Sequence, residues 1–495
     1  LITGLLVVLA TWVALRASVG AGVWPLIAML LDLGVVLLGW GLVLSLTARP
    51  LVAALVIVGL AVGLVVVDRV KRAVLREPVV FADRAELREL IRHPALYLPF
   101  AGTGRVVAGA LVLVVGFCGL LALEPAQWRV SPVPPLLGIL SVAAALALPG
   151  RAPLSGLLRR LYERLGPSRD PAMDATRFGL LAGFVIHATL ARVERDERRA
   201  GLAPRRDRQP AGNGAIVLVQ SESFFDVARL DPSLGAAVLP AFTRCRQASA
   251  LAGRLAVPCW GANTIRSEFA VLTGLAAERL GLDRFNPYAA FAHVPIEGIA
   301  WRARAAGWRT VCVHPFDLSF YSRRRVLPML GFDTLIGPEA FSNAARGGLY
   351  VADVALAGQV ADLLRSTPSG ILIFAITMEG HGPWDASAPA LDLPPALAGV
   401  PEAVSLARML FRQRAADQAI PILTAALSAR ASGGVLGVYG DHQPSLPKAF
   451  AAIGLTDERT DYLIWRSHAA GSGAQRDLAA HELGAALCEA AGLPT

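Results

Sequence analysis

Five long apolar runs crowd the first 149 residues, and they constrain this chain more than any other feature. They cover residues 1–19, 23–46, 51–67, 106–123 and roughly 133–148. The hydrocarbon core of a bilayer takes about 20 apolar residues as a helix. The alternative is a set of buried core helices. Five such runs crowded together favour membrane spans. Residue 1 is Leu, and no charged segment precedes the first run. The expectation is therefore a trimmed start with no visible cleaved signal peptide.

Beyond residue 149 the pattern changes. The formal net charge is +9, and its arginines gather beside the apolar runs, as in "DRVKRAVLRE" and "RAPLSGLLRRLYERLGPSR". Basic segments there meet lipid headgroups or set orientation. No base-recognition motif accompanies them, so nucleic acid is excluded as a partner. The five cysteines form no CxxC and no zinc-finger spacing. "AELRELIRHPALYLP" reads as an amphipathic helix ended by Pro, and residues 177–199 as an amphipathic or interfacial helix. A Pro/Gly-bearing linker comes next, at 203–214. The expected organisation is a transmembrane helical region over 1–149, an amphipathic connector and linker over 150–210, and a catalytic domain over 211–495.

Within that last domain, short continuous apolar runs recur: "AIVLVQ" (215–220), "RTVCVH" (309–314), "ILIFAITM" (371–378) and "GGVLGVYG" (433–440). Such runs suit strands buried on both faces. Helical patterns over 350–366 and 407–429 lie between them. The expectation is an α/β domain with a mainly parallel sheet, which binds ligands beyond the carboxyl ends of its strands. Each run gives way at once to polar residues. Glu222 lies just past the first, "PFDLSFYSRRR" past the second, His381 past the third, and Asp441-His442 past the fourth. Each has a plain reading as a cap, a turn or a solvated charge; four in one domain point to a site.

A fifth stretch, "VPCWGANTIRSEFAVLTGL" (257–275), turns at Gly261 into a polar run and then a helix. On these residues alone Thr264 reads as a helix cap. The sharper reading is a nucleophile at a helix start, where amide dipoles favour an anion. Glu222, Thr264, Asp441 and His442 together offer three oxygens and one nitrogen. That set suits Mn²⁺, Mg²⁺ or Zn²⁺.

"IVLVQSESFFD", "WGANTIRSEFAVLTG", "HPFDLSFYSRRRVLPMLGFD", "ITMEGHGPW" and "VYGDHQP" occur in this order. Taken together, they resemble the motifs of the lipoteichoic acid synthase and phosphoglycerol transferase group. That group lies in the sulfatase-like branch of the alkaline phosphatase superfamily. The resemblance implies an α/β/α sandwich behind a multi-span membrane region. It implies one divalent metal, usually manganese or magnesium, held by Glu222, Thr264, Asp441 and His442, with Thr264 as a nucleophile carrying a phospho-adduct. His314, Tyr321, Arg323 and His381 would surround the donor headgroup or the transferred phosphate, with His381 or His314 moving the proton. The implied donor is a phosphatidylglycerol-like membrane lipid and the implied acceptor a glycan or growing polymer.

The chain departs from the synthases at two positions: their aromatic residue in the third motif is Trp where this chain has Tyr321, and a Lys commonly precedes their Thr where this chain has Asn263. Arg266 can supply the missing cation. A sulfatase proper needs a Cys or Ser in a C/S-x-P-x-R setting, and Cys259 is followed by Trp-Gly-Ala-Asn. A sulfatase-like hydrolase and a non-catalytic envelope sensor stand as alternatives. The family places its catalytic domain outside the bacterial cytoplasmic membrane. The Arg-rich segments after the third and fifth runs pull the other way, because positive charge usually stays inside.

Overall fold

A computed structural model describes residues 1–22, 25–94, 96–97, 102–128, 136, 138–140, 154–204, 212–384, 389–469 and 471–493. The chain divides into two compact units. One comprises Leu1–Glu197 with Gly281–Phe285, the other Arg198–Leu280 with Asn286–Thr495.

In the first unit the apolar runs are helices. Leu26–Thr47, Pro50–Leu75 and Thr103–Leu123 are each long and apolar enough to cross a membrane, and Ile2–Ser18 is a shorter apolar helix. The fifth run, 133–148, lies largely outside the described residues. Helix ends leave unpaired backbone groups, and side chains satisfy them here. Pro50 opens its helix at a position where a missing N–H costs nothing. The Glu124 carboxylate accepts the next N–H groups, Leu51 at 2.9 Å and Val52 at 2.9 Å. Arg16 and Asp32 form a buried ion pair at 3.0 Å. Asp32 also accepts the Ala182 N–H, and Arg16 donates to the Phe178 carbonyl. The helix expected over 177–199 is two helices, Pro171–Phe178 and Leu180–Arg199. They break at Gly179, whose φ of +89° only glycine adopts readily. Asp170 caps the first of them.

The second unit is built on one sheet and a small hairpin. In chain order the strands are β1 (Ala215–Ser221), β2 (Leu251–Ala256), β3 (Arg309–Val313) and β4 (Thr334–Ile336). Then come β5 (Arg346–Gly347) and β6 (Tyr350–Val351), which pair with each other as a separate hairpin. The rest are β7 (Ile371–Ile376), β8 (Val435–Gly440), β9 (Thr460–Arg466), β10 (Ala474–Gln475) and β11 (Leu478–Ala479). The spatial order of the main sheet is β10-β2-β9-β8-β1-β7-β3-β4, with β11 also on β2. The four expected strands β1, β3, β7 and β8 run parallel at its centre. Strand β9 is the exception and pairs antiparallel with both β8 and β2.

Side chains alternate across a strand, so β1 feeds two cores. Ile216 and Leu218 join the cluster that contains Phe269, Ile299 and Leu487. Ala215, Val217 and Val219 join the one that contains Val360, Leu410 and Leu423. Both faces are covered by helices, as a parallel sheet requires, and the result is the expected α/β/α sandwich. The pattern that reads as one helix over 407–429 is two, Ala403–Asp417 and Ala419–Ser428. Pro421 cannot donate within a helix interior, and it sits in the first turn of the second.

Candidate active site

Three loops at the carboxyl ends of parallel strands converge. Glu222 follows β1, Asp441 and His442 follow β8, and His381 follows β7 by a short loop. Glu222, Asp441 and His442 are all buried and each presents one ligand atom within 4.8 Å of the others. His442 Nε2 lies 3.7 Å from Glu222 Oε1 and 3.3 Å from Asp441 Oδ2. Thr264 Oγ1 lies 3.5 Å from the same nitrogen. Residues from three motifs far apart in the chain therefore meet at one point.

Local chemistry holds each of them. The Glu222 N–H donates to Thr377 Oγ1 at 3.0 Å, and Ser223 Oγ donates to Glu222 Oε1 at 2.7 Å. Asp441 Oδ1 accepts the N–H of Ser223 and its own neighbour's N–H at His442. Gly380 lets the β7 loop press on this turn, since a Cβ there would stand 2.4 Å from the Glu222 carbonyl oxygen. His442 Nδ1 lies 2.9 Å from the Gln443 carbonyl oxygen. A carbonyl only accepts, so the proton sits on Nδ1 and Nε2 faces the cluster with its lone pair.

Thr264 is not the cap of its helix. The helix spans Thr264–Thr273, and the cap position belongs to Asn263, with no side-chain cap bond. Asn263 is left-handed at φ +66°, a conformation Asn tolerates better than most residues. Ser223, Tyr321 and Ser322 are left-handed too. Backbone strain of this kind gathers at functional sites. Ser267, one turn along, donates to the Asp441 carbonyl at 2.6 Å and ties the helix to the ligand loop. Cys259 Sγ approaches the same two groups.

The electrostatics show a shortage of positive charge. Burial, then the charge of Glu222, pushes the Asp441 carboxyl well above its ordinary value. Burial pulls His442 down, yet Asp441 and Glu222 outweigh it and hold the imidazole above its ordinary value. Among the described residues, Asp441 Oδ2 is buried with no hydrogen-bond partner. A cation among these donors answers all three observations. The O, O, N set with a hydroxyl beside it suits a hard or borderline divalent ion.

His314 and Arg323 form a second, deeper cluster. Arg323 grips Glu268 with two bonds, at 3.2 and 2.9 Å, and donates to His314 Nε2 at 3.2 Å. His314 Nδ1 lies 3.2 Å from the Ile376 carbonyl. Burial, then the Arg323 charge, holds that imidazole well below its ordinary value, so it is neutral. Both its nitrogens are committed internally. Glu268 also accepts from Gln220 at 3.0 Å and from the Tyr288 hydroxyl, and Tyr439 donates to Gln220. Glu268, Gln220, Tyr288 and Tyr439 are not among the site residues that the sequence motifs point to. Glu268 lies four residues past Thr264, one helical turn away, which is the signal the sequence offers. Tyr321 is half-buried beneath the Arg323 guanidinium, 5.4 Å from the ring centre. Arg266 is buried in the first turn of the Thr264 helix. His381 is half-buried, its Nδ1 against the Gly382 carbonyl and 3.4 Å from the Tyr350 hydroxyl.

The family model described as Sulfatase matches residues 215–493. A capsular polysaccharide biosynthesis protein, RkpI of Rhizobium meliloti (strain 1021), is 30% identical over 436 residues, covering 84% of this chain and 77% of that protein. Among solved structures, the integral membrane protein lipooligosaccharide phosphoethanolamine transferase A from Neisseria meningitidis aligns with 98% of this chain and 95% of its own, at a TM-score of 0.57 and 13% identity. At that identity the likeness is one of fold. The Streptococcus pyogenes phosphoglycerol transferase GacH aligns with 61% of this chain and 80% of its own, at a TM-score of 0.45 and 19% identity.

Proposed function

The chain belongs to the sulfatase family, and from that premise we propose that it is a membrane-anchored, divalent-metal-dependent phosphoglycerol transferase. The donor is a phosphatidylglycerol-like lipid, the acceptor an envelope glycan or polymer, and the second unit works on the outer side of the cytoplasmic membrane. The observation that carries this reading is the convergence of the Thr264 hydroxyl with Glu222, Asp441 and His442.

Those four residues would hold the metal. Mn²⁺ or Mg²⁺ suits the oxygen-rich set, with Zn²⁺ the alternative. When bound, such an ion lowers the pKa of a ligating hydroxyl and neutralises charge on a phosphate oxygen. Thr264 Oγ1 attacks the phosphorus of the donor. A new P–O bond to Thr264 forms as the P–O bond to diacylglycerol breaks, and the departing alkoxide takes up a proton. An acceptor hydroxyl then attacks the phosphoglyceryl-threonine, gives up its proton and regenerates Thr264. Of the two histidines considered for the proton, His314 has both nitrogens committed. His381 is half-exposed and takes that role.

The five-motif resemblance supports phosphoglycerol as the transferred group. The name of RkpI supports a glycan acceptor. Cys259, which a formylglycine sulfatase would need in another setting, lies against Ser267 while the helix opens on Thr264. That favours phospho-group transfer over sulfate ester hydrolysis.

The test is intact mass of the full chain in detergent after incubation with Mn²⁺ and phosphatidylglycerol. The expected result is a phosphoglycerol adduct on the wild type and none on Thr264→Ala. Free glycerol phosphate without an acceptor requirement would make the enzyme a phosphodiesterase. No adduct, no released diacylglycerol and full function of Thr264→Ala in the cell would leave a sensor.

A further inference from the structure

Tyr350 belongs to none of the sequence motifs and falls inside the helical pattern over 350–366. In the structure it sits on strand β6, and the helix begins only at Asp353. A reciprocal clip sets its position. Glu379 accepts the Asp353 N–H at 2.9 Å, and Asp353 Oδ1 accepts the N–H groups of Met378 and Glu379 at 3.4 and 3.3 Å. Gly347 admits the Glu379 carboxylate, since a Cβ there would stand 2.2 Å from its oxygen. The hairpin and the His381 loop are thereby fastened together, with Asp353 three residues beyond Tyr350 and Glu379 two before His381.

That fastening brings the half-buried phenol to the imidazole, ring centres 5.4 Å apart and the hydroxyl 3.4 Å from Nδ1. Phe316 packs edge to face against Tyr350, ring centres 6.3 Å apart. His381 Nδ1 also meets the Gly382 carbonyl. A carbonyl only accepts, so Nδ1 carries the proton, and Tyr350 can only accept from it. The phenol's own proton therefore has no acceptor in His381. Burial, then the negative charge of Glu222, pushes the phenol's pKa up, so the hydroxyl stays a donor at neutral pH.

The geometry points to Tyr350 as a substrate-binding residue that donates its phenolic hydrogen bond to a phosphoryl oxygen of the donor headgroup, beside His381. This rests on the phospho-transfer reading above. A neutral donor pre-aimed at an anionic oxygen and shielded by an aromatic wall binds without reorganising at the moment of reaction. A hydrogen bond to a charged group is worth enough to show as about a tenfold change in affinity.

The test uses the full chain in detergent, loaded with Mn²⁺, and inorganic phosphate as the probe in calorimetry. Tyr350→Phe removes only the hydroxyl. The expected result is phosphate affinity about tenfold weaker with Mn²⁺ affinity unchanged, and in transfer assays a KM for the lipid donor raised by a similar factor with kcat less affected. Phe316→Leu, which disturbs the same wall without removing a donor, should leave phosphate affinity within about twofold of wild type. Wild-type phosphate affinity in Tyr350→Phe, or an equal loss in Phe316→Leu, overturns the assignment. If the wild type transfers no phosphoglycerol while Tyr350→Phe still loses phosphate affinity, phosphoglycerol as the transferred group fails and the bond from Tyr350 to a phosphoryl oxygen stands.

Discussion

Glu268 and Arg323 are each almost fully enclosed, at 0% and 3% exposure, and each is the other's main counter-charge. Removing one partner leaves a buried charge unmatched, which costs roughly 3–5 kcal/mol. Glu268→Ala should therefore lower the thermal midpoint sharply, and adding Arg323→Met should recover part of the loss. A double-mutant cycle by denaturant unfolding reads this coupling. Asp353 gives a pH-dependent counterpart. Burial, then the Glu379 charge, pushes its carboxyl up to about 7 from an ordinary 3.8. The folded state thus holds the proton more tightly than the unfolded chain does. Stability from this group is complete below the unfolded value and is lost as pH rises through about 7. Asp353→Asn keeps the accepting oxygen and removes the ionisation. The wild-type midpoint should fall more steeply than the variant's between about pH 4 and pH 7. A slope unchanged by the substitution would remove Asp353 as its source.

At the scale of elements, the loop after β7 presses on the turn after β1 at Gly380. Gly380→Ala puts a methyl group into the Glu222 carbonyl and must displace that turn. Mn²⁺ affinity should drop about tenfold with the fold retained, as for other changes just outside a ligand set. Calorimetry with Mn²⁺ checks it. The elements that carry the candidate ligands are legible in the sequence. Strands β1, β3, β7 and β8 are continuous apolar runs, and polar groups come directly after each. The hairpin β5–β6 is not legible. Tyr350-Val351 runs into an apolar helical pattern, and only the clip between Asp353 and Glu379 shows where the helix starts. The pairing of Glu268 with Arg323 spans 55 residues of chain and has no local signature. Strand β2, "LAGRLA", lacks the dense apolar run of its neighbours, and its antiparallel pairing with β9 is hidden for that reason. The third motif alone points His314 and Arg323 toward the donor; the tertiary contacts that occupy them cannot be read from spacing.

At the scale of the whole molecule, a bound ion contributes to folding as well as to chemistry. A ligand that binds only the folded state at about 100 times its Kd adds about 2.7 kcal/mol. Chelation should therefore lower the unfolding temperature of the wild type. Asp441→Ala should be insensitive to chelator, because its ligand set is broken. A scan of the full chain in detergent, with and without Mn²⁺, reads both. Central strand β1 waits for neighbours made much later: it pairs with β7 and β8, and the bond from Ser223 to Asp441 closes a loop of 218 residues. Contacts so far apart in sequence form late. Glu222 thus emerges in synthesis well before Asp441 and His442, its partners in the cluster. A product that stops short of Asp441 and His442 lacks two of the residues that would hold the ion. An ion held by Glu222, Asp441 and His442 would then come from the supply available where folding finishes, and not from that of the compartment in which translation began.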